Sequence, residues 1–371
     1  MRIALICRPF VFHGGVETAT AGLIGELVRQ GHSIDLITTR GQPEVPGVSV
    51  RALDIPRHPS LVRLLAFGVA ARRATRSRPY DLVQSHERCL AQDIYRAGEG
   101  THRGYLAAMG RRWARVDPYH RTVMWLERRI FSLSAARETV AISRLGKAEI
   151  EHLFGTPPER VTVVHNGVDL ERFHPDSREK FGARTRQELG LGGEEWTVLF
   201  VGSGFERKGL GPLLEGFALA RDRRARLIVA GKGRIEPYRL VADRLGIAER
   251  VVWVGPRPDV ERLYGVADVV ALPARYEPFG NVHLEALASG VPVLSSAAAG
   301  GAELITAGQN GGVVQEVTGA AIARALDQIR DADPVRLAMA ARAAATPFTY
   351  AAQVDAFGMV YRRIPGTIDV H

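Results

Sequence analysis

The chain has 371 residues, of which 46% are hydrophobic and 24% are charged. This length is typical of two domains, and the apolar fraction is sufficient for two cores. No apolar run approaches the ~20 residues of a membrane span, which excludes an integral membrane protein with helical spans. The first residues read as a strand and offer no signal-peptide core, so no secretion is expected. Cys7 and Cys89 lack metal-ligand spacing and are expected to be reduced, inert thiols.

The net charge of +9 belongs to the first part of the chain. Residues 1–150 contain 23 Lys and Arg against 13 Asp and Glu, whereas residues 151–371 contain 26 against 27. This asymmetry predicts an anionic partner for the first part: a membrane surface, a phosphorylated glycolipid or nucleic acid. A genomic preference for arginine is the alternative, but it does not explain why the excess is confined to one part of the chain.

The chain opens with the pattern of a βαβ unit. Residues 2–7 are predicted as a strand, 16–29 as an amphipathic helix and 33–38 as a second strand. Gly14 and Gly15 precede the helix, where glycine lets the backbone approach a ligand and the helix N-terminus favours an anion. A tight turn is the plain alternative. The spacing is not that of the dinucleotide fingerprint, so dehydrogenase chemistry is not predicted.

Polar residues then follow a predicted strand. A basic helix is expected over residues 60–78 and a strand over 80–85, after which His86 stands at the edge of the sheet where ligands bind. A surface-loop histidine is the alternative interpretation. Asp93 lies further along the chain in what reads as the same loop.

Residues 103–130 combine arginine with large aromatic side chains. The mixture fits a segment lying on an anionic membrane. A helical pair with a solvated arginine face is the alternative. Nucleic acid would be attracted by the same charge, but no recognition motif for it is present. The residues expected to contact the membrane or another anionic partner are Arg103, Arg111, Arg112, Trp113, Arg115, Arg121 and Trp125.

The remaining elements predict a second α/β domain. Ser143 is expected to cap a helix over residues 144–153, and the polar stretch 174–196 reads as an inter-domain connection. Gly300 and Gly301 are expected to open a short helix. The other predicted strands are 138–143, 160–164, 197–201, 226–230, 251–255, 269–273 and 293–296, and the other predicted helices are 212–220 and 348–363.

Two cations follow the strand at 197–201. Gly202 begins a glycine-rich loop that carries Arg207 and Lys208, which places both charges at the carboxyl end of a strand. A diphosphate leaving group needs such neutralisation. A solvated charged turn is the alternative. Lys208 is followed by Gly209 rather than Ser or Thr, so the loop is not a P-loop.

Two glutamates follow the strand at 269–273. Glu277 lies in the loop and Glu285 on the helix that follows, whose first N–H groups point back toward Glu277. Carboxylates that accept hydrogen bonds from hydroxyls, beside backbone amides that donate them, suit a sugar or a ribose. An ordinary acidic helix start is the alternative.

These motifs together resemble those of the retaining glycosyltransferases of family four, which have the two-domain GT-B fold. The shared features are the Gly-Gly loop, Asn-Gly-Val-Asp at 166–169, Arg-Lys-Gly at 207–209 and the glutamate pair. Within the family the chain is most similar to the lipopolysaccharide core glucosyltransferase I group, except that Val16-Glu17 replaces the usual Leu-Gln.

The resemblance implies roles for particular residues. The catalytic group would be Arg207, Lys208, Glu277 and His86, with the cations on the diphosphate and the histidine against the donor sugar. Acceptor contacts would come from Glu17 and Asp93. The donor would be held by Gly14, Gly15, Gly202, Val254, Arg257, Pro278, Phe279, Gly280, Asn281 and Glu285.

The resemblance also implies an architecture: two Rossmann-like α/β domains facing a central cleft. The expected parts are an acceptor-binding domain (1–165), a nucleotide-sugar-binding domain (166–346) and a C-terminal helix returning to the first domain (347–371). The expected protein is cytoplasmic and peripheral on the inner face of the membrane.

The expected reaction is transfer of a hexose, glucose foremost, from a UDP-sugar to an anionic membrane glycolipid, with retention. GDP-mannose is the alternative donor. Asp331-Ala332-Asp333 has the letters of a metal-binding Asp-x-Asp but reads as a helix boundary, so no metal cofactor is expected. The competing hypotheses are a non-hydrolysing nucleotide-sugar epimerase, a two-domain sugar-binding protein and a nucleic-acid-binding protein.

Overall fold

The structure is a computed structural model that describes residues 1–10, 15–132 and 136–365. Gly14, which was predicted to contact the donor, lies outside the described residues. The side chains of Glu17, Arg112 and Arg115 lie outside them as well, so their predicted roles stay predictions. Gly15 is described and is the first residue of the first helix.

Strands and helices alternate along the chain, as in α/β proteins. The strands are β1 Arg2–Ile6, β2 Ser33–Thr39, β3 Val48–Leu53, β4 Leu82–Ser85, β5 Ile94–Ala97, β6 Glu138–Ala141, β7 Val161–Val163, β8 Thr197–Val201, β9 Arg226–Ala230, β10 Val251–Gly255, β11 Val269–Leu272, β12 Val293–Ser296 and β13 Gly311–Val314. The helices are α1 Gly15–Arg29, α2 Ser60–Arg76, α3 His102–Ala108, α4 Pro118–Phe131, α5 Arg144–Phe154, α6 Ser177–Glu188, α7 Leu210–Leu219, α8 Glu236–Arg244, α9 Glu261–Tyr264, α10 Asn281–Ala288, α11 Gly319–Asp331, α12 Pro334–Ala345 and α13 Tyr350–Tyr361. Short 3-10 turns cover Arg112–Arg115, Pro158–Arg160, Ala248–Arg250 and Gly300–Leu304.

Within the described residues the strands form two parallel sheets. One is seven-stranded with the order β3-β2-β1-β4-β5-β6-β7, and the other is six-stranded with the order β10-β9-β8-β11-β12-β13. The strand order reverses between β1 and β4 in the first sheet and between β8 and β11 in the second. Such reversal points open a crevice beyond the carboxyl ends of the strands, where ligands of α/β sheets bind.

The chain divides into two compact units, each built on one sheet. The first contains residues 16–167 together with the described parts of the two termini, and the second contains residues 168–349. The two Rossmann-like parallel-sheet domains predicted from the sequence are confirmed.

The predicted return of the C-terminal helix to the first unit is confirmed as well. Phe357 and Val360 of α13 are fully buried in the same core cluster as Ile3 and Leu5 of β1. The hydroxyl of Tyr361 donates to Gln84 Oε1 at 2.7 Å, which ties α13 to β4. Apolar burial and one buried hydrogen bond therefore attach the end of the chain to its beginning.

One local prediction was wrong. The stretch 174–196 contains α6, which the sequence hides because its buried positions are the small or polar residues Ser177, Gly182 and Thr185. Gly182 packs where an added Cβ would lie 3.3 Å from the carbonyl oxygen of Gly265, so close backbone approach replaces an apolar stripe. The helix expected from Gly300 is present as a 3-10 helix of five residues, Gly300–Leu304.

None of the described helices is long and apolar enough to cross a bilayer.

Candidate functional site

The predicted cations and acids of the second unit meet where its strand order reverses. The loop after β8 carries Arg207 and Lys208, and the loop after β11 carries Glu277. Because β8 and β11 are neighbours in the sheet, their carboxyl ends bring the two loops together. The chain folds this way because each loop connects a buried apolar strand to a helix that must pack back on the sheet.

A single carboxylate oxygen of Glu277 contacts both Arg207 and Lys208. Glu277 Oε2 accepts a hydrogen bond from Arg207 Nη1 at 3.0 Å and lies 3.3 Å from Lys208 Nζ. Glu277 is only 8% exposed. Burial raises the pKa of its carboxyl, but the charges of Lys208 and Arg207 outweigh burial, so the pKa lies below its ordinary value. The two cations therefore face the ionised carboxylate of Glu277, and both can also bind an anionic ligand.

Backbone hydrogen bonds fix the position of Glu277. Its N–H donates to Ala298 O at 3.1 Å, and its carbonyl accepts from Gly300 N at 2.8 Å. On the other side, Arg207 Nη1 donates to Tyr276 O at 2.8 Å. The loops after β8, β11 and β12 thus form one rigid edge, which is the preorganisation that charge stabilisation requires.

Gly202 makes room for Lys208. A Cβ added at Gly202 would lie 2.4 Å from Lys208 Cδ and 2.8 Å from its Nζ. The aliphatic part of Lys208 therefore passes directly over the glycine to reach Glu277. Gly202 therefore acts by leaving space for the Lys208 side chain rather than by contacting the ligand directly.

The loop into α10 is held by a buried histidine that sequence reasoning did not single out. Gly280 has a left-handed φ of 82° and precedes the first helical residue, Asn281. His283 Nδ1 lies 2.9 Å from Gly280 O, and its Nε2 lies 2.7 Å from Ser295 Oγ. Because a carbonyl only accepts, Nδ1 carries the proton and Nε2 accepts from the serine. Burial lowers the pKa of His283 to about 4, so the ring is neutral.

Glu285 lies on α10 and is also buried. Its Oε2 accepts a hydrogen bond from the hydroxyl of Tyr264 at 2.7 Å. Burial raises the pKa of the Glu285 carboxyl, although Tyr264 and the charges of Arg172 and Lys208 oppose that rise. Glu285 thus lies on the helix that directly follows the Glu277 loop.

The other predicted donor contacts occupy varied positions. Phe279 is fully buried, and its carbonyl accepts from Gly301 N at 2.7 Å. Pro278 is half-buried, as is Val254 on β10. The Arg257 guanidinium is held by Asp259 through hydrogen bonds of 2.7 and 2.5 Å, so its side chain already has a carboxylate partner.

His86 of the first unit stands at the other reversal point, as expected for a residue that ends β4. The Oε1 of Gln84 accepts from Tyr361, so its amide nitrogen donates to His86 Nε2 at 2.9 Å. His86 Nδ1 then donates to Thr20 Oγ1 at 3.4 Å. Burial holds the pKa of His86 well below its ordinary value. Both ring nitrogens are therefore engaged within the protein.

Asp93 does not stand near His86, and its predicted place at the acceptor-binding edge is corrected. It immediately precedes β5 and accepts from Val83 N at 3.0 Å, near the start of β4. That is the amino end of the parallel strands, opposite the edge where His86 lies. The sequence placed both residues in one loop, but the chain between them runs back along the sheet.

Arg96 is the residue of the first unit that sequence reasoning missed. The pairings Ile6 with Ser85 and Ser85 with Tyr95 bring the next residues of the three strands into one row: Cys7, His86 and Arg96. A pocket lies against this row. It is lined by Cys7, Arg8, Phe10, Thr20, His86, Glu87, Arg96, Gly98 and Glu99. The sequence signal was an arginine inside an otherwise apolar strand.

The predicted membrane residues lie on α3, the following 3-10 turn and α4. Trp113 is 59% exposed and Trp125 is 49% exposed. Arg103 and Arg121 are exposed too. The Arg111 guanidinium lies 5.8 Å from the centre of the Tyr105 ring. Large aromatic side chains and arginines are therefore available to a partner on this part of the first unit.

Among the described residues, no cluster of three or more His, Cys, Asp or Glu could hold a metal ion. Asp333 caps α12 by accepting from Val335 N at 2.9 Å, and Asp331 pairs with Arg221. The Asp-x-Asp letters are therefore a helix boundary, as the sequence predicted.

The chain has two Rossmann-like units, and at the point where the strand order of the second sheet reverses, a pair of cations lies with a pair of glutamates. This combination defines a glycosyltransferase of the GT-B fold. Comparison with known families agrees: residues 13–172 match the model of Glycosyltransferase Family 4, and residues 183–346 match that of Glycosyl transferases group 1. The chain belongs to glycosyltransferase family 4.

A curated relative supports that assignment, and two solved structures share the fold. A D-inositol 3-phosphate glycosyltransferase of Mycolicibacterium gilvum is 32% identical over 393 residues, covering 94% of this chain and 85% of the relative. The structure of WaaG, a glycosyltransferase involved in lipopolysaccharide biosynthesis, is similar with a TM-score of 0.85 at 23% identity, over 96% of this chain and 99% of WaaG. Anabaena HepE in complex with UDP and glucose gives a TM-score of 0.77 at 19% identity, over 98% of this chain and 100% of HepE.

Proposed function

We propose that the protein transfers a hexose, glucose foremost, from a UDP-sugar to an anionic membrane glycolipid of the lipopolysaccharide-core type, with retention at the anomeric carbon. The observation that carries the proposal is the shared contact of Arg207 and Lys208 with Glu277 beside Glu285. Among similar structures, HepE is complexed with UDP and glucose, and WaaG is involved in lipopolysaccharide biosynthesis.

The chemistry of the site supports a role for each side chain. Arg207 and Lys208 neutralise the diphosphate of the donor and stabilise the charge that develops on it as the bond to the sugar breaks. Glu277 is ionised, so it accepts hydrogen bonds from sugar hydroxyls, and Glu285 does the same for the ribose. The acceptor hydroxyl attacks from the face that the leaving phosphate occupies, and that phosphate takes its proton.

No metal is needed in this scheme, because the two cations supply the charge that a metal would otherwise supply. Turnover that survives EDTA and falls by about a hundredfold or more in Lys208→Met would support it, since a lost transition-state contact typically costs ~10²–10³ in rate. Loss of turnover on chelation, restored by a divalent cation, would contradict it.

The remaining family roles are proposed for the residues already named. His86 is assigned to the donor sugar, but its engaged nitrogens make it a positioning group unless Thr20 or Gln84 releases it. Glu17 is proposed to contact the acceptor, and Gly14 and Gly15 to face the diphosphate. Backbone atoms near Val254 and Arg257 are proposed to contact the base.

We also propose that the first unit contacts an anionic membrane on its cytoplasmic side, through the surface formed by α2 and α4. Helix α2 packs against α4. It exposes Val62, Leu65 and Val69, which share one face because they are spaced by three and four residues. Together with Trp113 and Trp125, this surface combines apolar side chains with arginines, as interfacial helices do.

The donor is tested by thermal shift with UDP-, GDP- and ADP-sugars, followed by turnover of the best donor on truncated core glycolipid. We expect UDP-glucose to give the largest shift and a product of retained configuration by NMR. A shift with GDP-mannose alone would overturn the donor assignment. Conversion of the nucleotide-sugar without any acceptor would favour an epimerase.

Membrane contact is tested by sedimentation with vesicles of phosphatidylglycerol and phosphatidylcholine. We expect binding that weakens with salt and falls in Trp113→Ser/Trp125→Ser. The matched control is Met339→Ser, which removes an exposed apolar side chain from the second unit. Equal binding of the double variant and the control would contradict the proposal.

A further inference from the structure

A buried arginine of the first unit has hydrogen-bond donors that no described residue satisfies. Arg96 is 1% exposed. Its Nη2 donates to Asn166 Oδ1 at 2.6 Å, but its Nε and Nη1 have no partner among the described residues. Guanidinium groups are almost never fully buried unless they are paired, because desolvating the charge is costly.

The nearby carboxylates are committed to other arginines. Arg8 contacts Glu87 at 2.9 Å and Glu99 at 2.7 Å. Arg88 contacts the second oxygen of Glu99 at 3.0 Å and also pairs with Glu127. Burial lowers the pKa of Arg96 to about 10, and no carboxylate opposes that effect. Arg96 is therefore a desolvated cation without an anion.

The side chain that carries the unsatisfied donors lies beside a pocket. Arg96 lines the pocket that also reaches Cys7, Thr20 and His86. Its Nη1 passes so close to Gly98 that an added Cβ there would lie 2.6 Å away. This glycine leaves space for the guanidinium at the carboxyl edge of the sheet, where ligands of α/β sheets bind.

We propose that Arg96 binds an anionic oxygen group, a phosphate or a carboxylate, of a ligand that enters this pocket. A ligand oxygen accepts from Nη1 or from Nε, which lie on different edges of the planar guanidinium. The anion site itself rests on geometry alone. The further assignment of the ligand as the glycosyl acceptor rests on the proposed function. If the acceptor is the ligand, Arg96 recognises the acceptor by its negative charge.

The anion site is tested by calorimetric titration with inorganic phosphate of the wild type, Arg96→Met and Lys208→Met. Phosphate also suits the cations of the second unit, so Lys208→Met serves to separate the two sites. We expect two classes of site in the wild type. Arg96→Met should weaken one of them about tenfold to a hundredfold, as for a lost charged hydrogen bond, while Lys208→Met keeps it. Phosphate binding that is unchanged in Arg96→Met overturns the proposal.

Stability without phosphate supplies a second readout, which a structural arginine would not give. Removing an unpaired buried charge should leave the melting temperature of Arg96→Met equal to or above that of the wild type in a phosphate-free buffer. Phosphate should then raise the melting temperature of the wild type more than that of the variant. A variant that melts several degrees lower and keeps the full phosphate response shows that Arg96 serves the fold alone.

The wild type alone gives a third readout if the variant fails to fold. Cys7 and Cys89 are both buried, but Cys7 lines the pocket and Cys89 does not. Bound phosphate should slow alkylation of Cys7 relative to Cys89 by severalfold. An unchanged ratio of the two rates contradicts the proposal, because general stabilisation would slow both.

The source of the anion is decided with phosphorylated and dephosphorylated core glycolipid in the turnover assay. A higher KM for the dephosphorylated acceptor, with the difference abolished in Arg96→Met, assigns the anion to the acceptor. Equal KM values with Arg96-dependent phosphate binding assign the pocket to a free anion. Arg96-dependent phosphate binding without any sugar transfer overturns the proposed function and leaves the anion site standing.

Discussion

Gly202→Ala should displace Lys208 and so weaken the pair of cations, Arg207 and Lys208, that is proposed to bind the diphosphate. The added Cβ would lie 2.4 Å from Lys208 Cδ, whereas an ordinary contact is 3.4–4 Å. The lysine side chain must therefore shift by about 1 Å, which carries its ammonium away from Glu277, now 3.3 Å distant. A misplacement of that size at a reacting centre costs roughly a hundredfold in rate. We expect kcat to fall by about that factor.

The stability of this variant should fall as well, because Gly202 has a φ of 154°, a backbone conformation in which a residue with a Cβ is strained. Gly211→Ala is the matched control. Gly211 lies in α7, and an added Cβ there meets no atom within 4 Å. Alanine in a helix gains up to ~1 kcal/mol over glycine, so the control should be fully active and as stable as the wild type or slightly more so.

A double-mutant cycle tests the reasoning most directly. Turnover of the preferred nucleotide-sugar is measured for Gly202→Ala, Lys208→Met and the double variant, and melting temperatures are recorded in parallel. If Gly202 acts only through Lys208, the second substitution adds almost nothing to the first. Additive losses in kcat, or wild-type activity of Gly202→Ala, would refute this account of the glycine.

Three further outcomes are expected. Tyr264→Phe removes the hydroxyl that donates a hydrogen bond to Glu285. It should raise the KM for the nucleotide-sugar about tenfold in steady-state kinetics. An unchanged KM would contradict the proposed contact of Glu285 with the ribose. His283, with its pKa lowered to about 4, binds a proton more readily when unfolded, so the free energy of unfolding should fall between pH ~6.5 and ~4 by up to ~3 kcal/mol. Urea titrations of His283→Asn should show a shallower pH slope, and an identical slope would contradict the shift. Phe357→Ala should lower the free energy of unfolding by ~3–5 kcal/mol, whereas Met359→Ala, at an exposed position, should leave it almost unchanged. Similar losses in the two variants would show that burial of Phe357 does not hold α13 on the first unit.

The sequence alone was sufficient for much of the second unit. Its strands are short apolar runs bounded by glycine and proline, which the periodicity of the chain makes visible. Arg207, Lys208, Glu277 and Glu285 stand at fixed offsets from those strands, so a parallel sheet necessarily brings the first three toward one edge. α6 escaped detection because its buried face is made of small and polar residues, which carry no apolar period.

Other features depended on which strands become neighbours. His86 and Asp93 are close in the chain, yet they lie at opposite edges of the sheet because the segment between them runs back along β4. Arg96 lies beside His86 and Cys7 only through the register of β4 and β5 with β1, which is distant from them in sequence.

The sequence by itself determined the family, the alternation of elements and the chemical types that gather beside the strands, because these depend on local spacing. The tertiary structure alone decided which charges are paired. Arg96 stands out among the described arginines because it is 1% exposed and has no carboxylate partner among the described residues. Burial and pairing are properties of the packed fold, so no local pattern could reveal them.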